Sequence, residues 1–233
     1  MPAASMSKRR QDRGEQSAVR ERILDAALAA FVKSGYAATS MFEIARRARV
    51  SKRELYSLIG NKQEMLSASI GERARRLQVP ADLPRPHDRQ TLAHVLTCFG
   101  AQLVHEVSDP AVVAVFRLAI AEAANAPEVA RTLDSTGREA GRTALRNIMH
   151  QAQTSGLLDG RPAELAEQFR GLLWRDLMVS LLLGVAERPS PREIERRARD
   201  AVTAFLDLHP LPRDTAALSG ATLLGPPINR RSR

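Results

Sequence analysis

The chain holds a single cysteine, Cys98, which excludes an intrachain disulfide and any zinc site built on cysteine ligands. Aromatic residues make up only 4% of it, and no stretch alternates apolar and polar residues for long, so a sandwich or barrel of half-buried strands is not expected. No run reaches the ~18–20 apolar residues that a membrane span needs, and the charged N-terminus has no apolar signal core. A cytoplasmic protein is the expectation. The five histidines, His87, His94, His105, His150 and His209, are scattered; His94 and His105 lie eleven residues apart rather than at the i, i+4 spacing of a helical metal pair. Neither a nucleophile elbow nor a phosphate loop is present. We therefore expect no catalytic residues, no metal and no cofactor. Cys98, within Val95–Phe99, reads as a buried small hydrophobe rather than a thiol sensor.

What remains is rich in Ala, Leu, Arg and Glu, and 44% hydrophobic content suffices for a real core, so the fold class expected is all-α. Charge is uneven. Residues 1–78 carry 16 Lys and Arg against 8 Asp and Glu, whereas the rest of the chain is nearly neutral. The first third is the end suited to a polyanion.

Within it, residues 39–66 contain three capping patterns in succession: Ser40 with Glu43, Ser51 with Glu54, and Asn61 with Glu64. Each offers a side-chain oxygen to an orphan amide of a starting helix, with a carboxylate three residues on. Short helices over about 41–48 and 52–58, joined by a tight turn, have the proportions of a helix-turn-helix, whose second helix enters the DNA major groove. At ~100° per residue, Leu55, Leu58 and Ile59 fall on one side of that helix and Lys52, Arg53, Tyr56 and Ser57 on the other. Arg46 and Arg47, on the first helix, face either the DNA backbone or solvent.

Thr39-Ser40-Met41, Ile44-Ala45, Val50-Ser51-Lys52, Leu55-Tyr56 and Lys62-Gln63-Glu64-Met65-Leu66 closely resemble the DNA-binding signature of the TetR/AcrR repressor family, in register from about Arg20 to Leu66. The resemblance implies operator DNA as a partner, with Thr39, Ser40, Arg46, Arg47, Ser51, Lys52, Arg53, Tyr56, Ser57 and Lys62 at the interface. Lys62 opens a helix where its charge opposes the dipole, so it is read as reaching a phosphate rather than merely flanking the turn. Two positions depart from the family pattern: Arg49 stands where glycine is frequent, and Ile59 replaces a usual aromatic.

The expected organisation has four parts: a disordered basic arm over 1–16, a helix-turn-helix domain with its connecting helix over 17–78, a helical domain over 89–208, and an irregular tail over 209–233. Helix one should span about 17–34, with Ile23, Leu24, Ala27, Leu28 and Phe31 buried and Gly35 at its end. Prolines between residues 79 and 90 mark the boundary. Beyond it, punctuation by proline and glycine sets off helices at about 89–106, 110–124, 127–154, 162–186 and 191–208. The centre of 162–186 is apolar nearly all round, so it must be buried on more than one side. In the family resembled, the last two long helices pair with those of a second subunit, and a homodimer is expected on that basis.

A looser resemblance joins Phe116–Ala123 and Leu172–Leu177 to the AefR-like C-terminal regulatory domain. A pocket between helices is the default binding site in a bundle, with Phe99, Gln102, Leu103, Phe116, Ile120, Met149, Phe169, Leu173 and Trp174 as candidate lining residues for a small-molecule effector. Arg117, Arg175 and Asp176 lie in apolar surroundings and suggest an internal salt bridge, or an anchor for a polar ligand group. The function expected is a ligand-responsive repressor. Alternatives are a non-switching DNA-binding protein and, more remotely, an enzyme carrying a helix-turn-helix.

Overall fold

The computed structural model describes residues 3–78 and 83–211, with side chains from residue 14 onward, so the tail expected over 209–233 lies, beyond residue 211, outside the described residues. Helix α1 (Ala3–Ser34) starts well before the expected residue 17, so the segment read as a disordered arm is helical from Ala3. Its residues go some way to explain this: after Pro2, ten of residues 3–16 are Ala, Met, Lys, Arg, Gln or Glu, strong helix formers that outweigh Ser5, Ser7, Asp12 and Gly14, and none is an internal proline. At the other end Gly35, at φ 86°, closes α1 by donating to Phe31 O at 2.9 Å. Helices α2 (Met41–Ala48) and α3 (Lys52–Leu58) follow, then α4 (Lys62–Ala74), whose last turn tightens to a 3₁₀ helix over Arg75–Leu77.

Helix α5 (Arg89–Val107) opens beyond the proline-rich segment, and α6 (Pro110–Ala121) begins with proline at its first position. The expected helix over 127–154 forms, with a change of pitch inside it. Helix α7 (Pro127–Thr132) runs into a π-helical stretch, Leu133–Arg138, and continues as α8 (Glu139–Thr154). The chain ends its described course in α9 (Pro162–Trp174), α10 (Leu177–Leu183) and α11 (Pro191–Leu208).

One expected helix is in fact two. Residues 162–186 break at Arg175, whose backbone (φ 43°, ψ −125°) no L residue adopts without strain, at a cost of about 1–3 kcal/mol. The break turns Arg175 and Asp176 to solvent, so neither is the buried charge the sequence suggested. Arginines bind the carbonyls that the interruption exposes: Arg197 donates to Leu173 O and Trp174 O at 3.2 and 3.3 Å. Arg117 likewise donates to Leu181 O and Leu182 O at the end of α10, at 2.8 and 3.0 Å, rather than to a carboxylate.

Two apolar cores hold these helices. The larger lies among α5, α8, α9 and α11, where Phe99, Phe169 and Phe205 are fully enclosed. Phe169 and Phe205 meet edge to face at 5.6 Å, and each such ring stabilises the fold by about 2–3 kcal/mol through burial. The smaller core combines Ile23, Leu28, Phe31, Ile44, Leu55 and Met65 of α1–α4 with Val115, Leu118 and Ala119 of α6 and Val129 of α7. The proline-rich boundary in the sequence is thus not a boundary between cores. Cys98 is half-buried rather than buried, with Sγ 3.8 Å from the His94 ring.

Candidate functional sites: a helix-turn-helix surface and an interhelical cavity

The local structure of residues 39–66 follows from the capping residues. Ser40 Oγ accepts from the Glu43 amide at 3.2 Å, Ser51 Oγ from Glu54 at 3.1 Å, and Asn61 Oδ1 from Glu64 at 3.0 Å. Only at the last does the carboxylate reach back in full, Glu64 accepting from Asn61 N at 2.7 Å. Glu43 pairs with Arg47 instead, at 3.2 Å. The turn between α2 and α3 passes through Arg49 at φ 54°, ψ 46°, a left-handed residue that costs roughly 1 kcal/mol without glycine. Arg22 of α1 braces this corner by donating to Ala48 O at 2.8 Å.

On α3 only Leu55 is fully enclosed; Lys52, Arg53, Tyr56 and Ser57 are all exposed, as the periodicity required. Lys52 Nζ lies 5.9 Å from the centre of the Tyr56 ring, whose exposure is 45%. Ser40, Ser51 and Arg46 also face solvent, while Arg47 is partly covered and paired. Two residues expected at this surface are turned inward. Thr39 is 2% exposed, its hydroxyl 2.7 Å from Gly35 O and 3.2 Å from Ala30 O. Lys62 places its ammonium 2.9, 3.2 and 3.2 Å from the carbonyls of Tyr36, Ala37 and Thr39, and 4.6 Å from the Tyr36 ring centre. Its donors are used inside the protein, which is how a cation sits at the start of a helix against the dipole. The sequence pattern gives Phe42 no mark of a surface role. It stands 71% exposed on the first turn of α2, and nothing in its neighbourhood pattern distinguishes it from a core residue.

The second site is a cavity of about 720 Å³, within the ~300–1,000 Å³ of small-molecule pockets. Its walls come from Ser69, Ile70, Arg73 and Ala74 of α4, and from Val112, Val115, Phe116, Ala119 and Ile120 of α6. The π-helical stretch gives Leu133, Gly137 and Arg138, α9 gives Glu167, Arg170 and Trp174, and α10 gives Met178 and Leu182. Of the candidates chosen from sequence, Leu103, Phe116, Ile120 and Trp174 line it. Phe99, Met149, Phe169 and Leu173 do not; they are fully packed into the larger core. Gln102 instead tethers the end of α4, its amide donating to Arg76 O and Gln78 O. The sequence pattern missed the α4 and π-helical wall because those residues belong to other segments and reach the cavity only through the crossing of helices.

That crossing is close. A Cβ at Gly137 would lie 3.1 Å from Ile70 of α4, and one at Gly71 would lie 3.4 Å from Thr136. Charges near the wall are paired. Asp134 accepts from Arg138 at 2.6 Å and lies 3.1 Å from Arg142, and the Arg142 hydrogen bond holds its carboxyl below the usual aspartate range. Glu139 is likewise held low, first by its hydrogen bond from Arg146. Arg170 pairs with Glu167 at 2.7 Å. The cavity lining is thus mostly apolar, and among its charged residues Arg138, Arg142, Glu167 and Arg170 are paired.

Among the described residues no helix is long and apolar enough to cross a membrane. Residues 23–68 match the family of bacterial regulatory proteins called tetR, and residues 94–209 match the AefR-like transcriptional repressor C-terminal domain. A TetR transcriptional regulator from Agrobacterium tumefaciens is 30% identical, the alignment covering 82% of this chain and 94% of that one, with a TM-score of 0.68. The flavonoid-responsive regulator FrrA is similar at 28% identity, over 84% of this chain and 99% of its own, with a TM-score of 0.68. A helix-turn-helix-type transcriptional regulator of Bacillus subtilis, YvkB, is 24% identical over 173 residues, which is 74% of this chain and 88% of that protein. An exposed cationic helix on a capped helix-turn-helix, an apolar cavity behind it and these likenesses agree: the chain belongs to the TetR family of bacterial transcriptional regulators.

Proposed function

We propose that the protein is a cytoplasmic homodimeric repressor, bound to its operator when the cavity is empty and released when a small, largely apolar molecule fills it. Ser40, Arg46, Ser51, Lys52, Arg53, Tyr56 and Ser57 form the DNA surface in this reading, with Tyr56 and Ser57 toward base edges and the cations toward phosphates. A twofold dimer through α9, α10 and α11 sets two α3 helices to meet half-sites about one helical turn, ~34–36 Å, apart. Val179, Leu183 and Val185 are exposed apolar residues on and just after α10, in keeping with such an interface.

This reading rests above all on the position of α4. Its N-terminal end, at Lys62, holds the turn that precedes α2; its C-terminal half, from Ser69, walls the cavity. A molecule that binds better to a form with α4 displaced shifts the population toward wrongly spaced recognition helices. Phe116 and Trp174 give the cavity aromatic walls, and the flavonoid response of FrrA makes planar polyphenols the first class to screen.

The experiment is a footprint on the DNA flanking the gene, titrated with salt and then with candidate effectors. A protected palindrome with half-sites one turn apart, lost on adding an effector, establishes the repressor. Diffuse protection with steep salt dependence and no preferred site would leave a non-switching DNA-binding protein in its place.

A further inference from the structure

The turn between α1 and α2 sets where α2, and through it α3, stands. Two side chains from later in the chain hold it. Lys62 takes the carbonyls of Tyr36, Ala37 and Thr39. Glu122, which caps the C-terminus of α6, takes amides of the same turn: Tyr36 N donates to Oε1 at 2.7 Å and Ala37 N at 3.3 Å. Glu122 is 9% exposed. A carboxylate so covered needs donors, and the turn's backbone amides, outside any helical ladder, need acceptors. Gly35 completes the seat, because a Cβ there would lie 2.9 Å from Oε1.

The same helix forms one wall of the cavity. Val112, Val115, Phe116, Ala119 and Ile120 of α6, and Ala123 just beyond Glu122, line it. Helix α6 thus has the cavity along its side and the turn before α2 at its end.

We propose that α6 is a strut and Glu122 a positioning residue for DNA binding: its carboxylate sets the α1–α2 turn in the DNA-competent geometry, and cavity occupancy reaches α2 through this contact as well as along α4. The inference takes the DNA-binding reading as given and adds a second, shorter path. A helix three turns long moves as one body, so pressure at Phe116 or Ala119 is delivered at Glu122. The bonds at 2.7 and 3.3 Å weaken as α6 shifts, and the second, already at the edge of good geometry, is broken by a displacement well under an ångström.

The test is a double-mutant cycle in the full-length protein, read as affinity for the DNA site that the protein selects from a random-sequence pool. Glu122→Ala lowers affinity about tenfold with helicity unchanged. Glu122→Gln, whose carboxamide oxygen still accepts both amides, recovers most of it, which a merely destabilising loss of charge would not. Ile120→Trp fills the cavity from α6 without entering either core; it lowers affinity by about the same factor in the wild type and adds less than about twofold to Glu122→Ala. Wild-type affinity in Glu122→Ala, no effect of Ile120→Trp in the wild type, or its full effect in both backgrounds would each overturn the proposal. Should Glu122→Ala not fold, amide exchange at Tyr36 and Ala37 decides in the Ile120→Trp protein: faster exchange supports the strut and unchanged exchange sinks it. If the wild type selects no site, the DNA-binding reading fails instead, and amide exchange still tests the strut.

Discussion

At Lys62 an ammonium that by sequence was headed for a phosphate is surrounded by three carbonyl oxygens, and this changes what its removal should do. Hydrogen bonds from a charged donor contribute about 2 kcal/mol in such a half-covered place. Lys62→Met should therefore lower Tm by about 4–8 °C for a chain of this size, while the salt slope of DNA binding stays within error. A slope reduced by about 1 at unchanged Tm would return Lys62 to the phosphates. Tyr56 is the opposite case. Its ring is solvent-exposed on the outer face of α3, so Tyr56→Ala should leave Tm unchanged and weaken operator binding on the order of tenfold in competition with random DNA. Equal losses on operator and random DNA would take Tyr56 out of base recognition. Thr39 shows why a motif position is not yet a contact: its hydroxyl serves the carbonyls at the end of α1, a role the linear pattern cannot distinguish from outward display.

Among the elements, caps and prolines carried most of the information. Ser40, Ser51 and Asn61 begin their helices where the pattern placed them, and α11 occupies the span that Pro191 and Pro210 imply, because these signals act on the backbone within one turn. The break at Arg175 was not legible. No glycine or proline marks it, and the apolar residues on both sides read as one helix. The interruption is chosen by packing, which brings Met178 and Leu182 to the cavity and leaves Arg175 strained. Arg175→Gly should relieve that strain and raise stability by about 1 kcal/mol, seen as a Tm higher by roughly 2–4 °C. A lower Tm would mean that the Arg175 side chain contributes more than its backbone costs. The π-helical stretch is equally silent in the sequence: it lies where Gly71 and Gly137 bring two helices close, a tertiary contact that no local propensity reports.

At the scale of the whole molecule, protonation gives a test that no single side chain dominates. Asp134, Glu139, Asp88 and Glu193 are all held below their ordinary ranges, mainly by hydrogen bonds from Arg142, Arg146, Thr91 and Ser190 respectively. The folded state therefore binds fewer protons than the unfolded chain as acid is added. The stability these groups provide is fully present above the ordinary carboxylate range and is lost as pH falls through and below it. Desolvation also lowers the pKa of His209, so acid begins to favour unfolding near the ordinary histidine value, about 6.5. Thermal unfolding followed against pH should show a plateau from neutral to mildly alkaline pH, a shallow decline below about 6.5, and a steep one below about 4; burial raises the Tyr36 pKa, so stability falls again above the ordinary tyrosine value, about 10. A Tm that rises on acidification from neutral pH would contradict these assignments.

Core membership has a practical consequence for anyone who would transplant this DNA-reading head onto another sensor. A cut in the proline-rich segment looks natural in the sequence, yet it would strip Val115, Leu118, Ala119 and Val129 from the apolar surface they cover and leave Tyr36 and Ala37 without their carboxylate. A working chimera has to carry α6 and α7 with the head, so the unit that can be exchanged is discontinuous in sequence. Homologous recombination between relatives would meet the same constraint: crossovers in the linker succeed only where the incoming α6 already fits the resident helix-turn-helix.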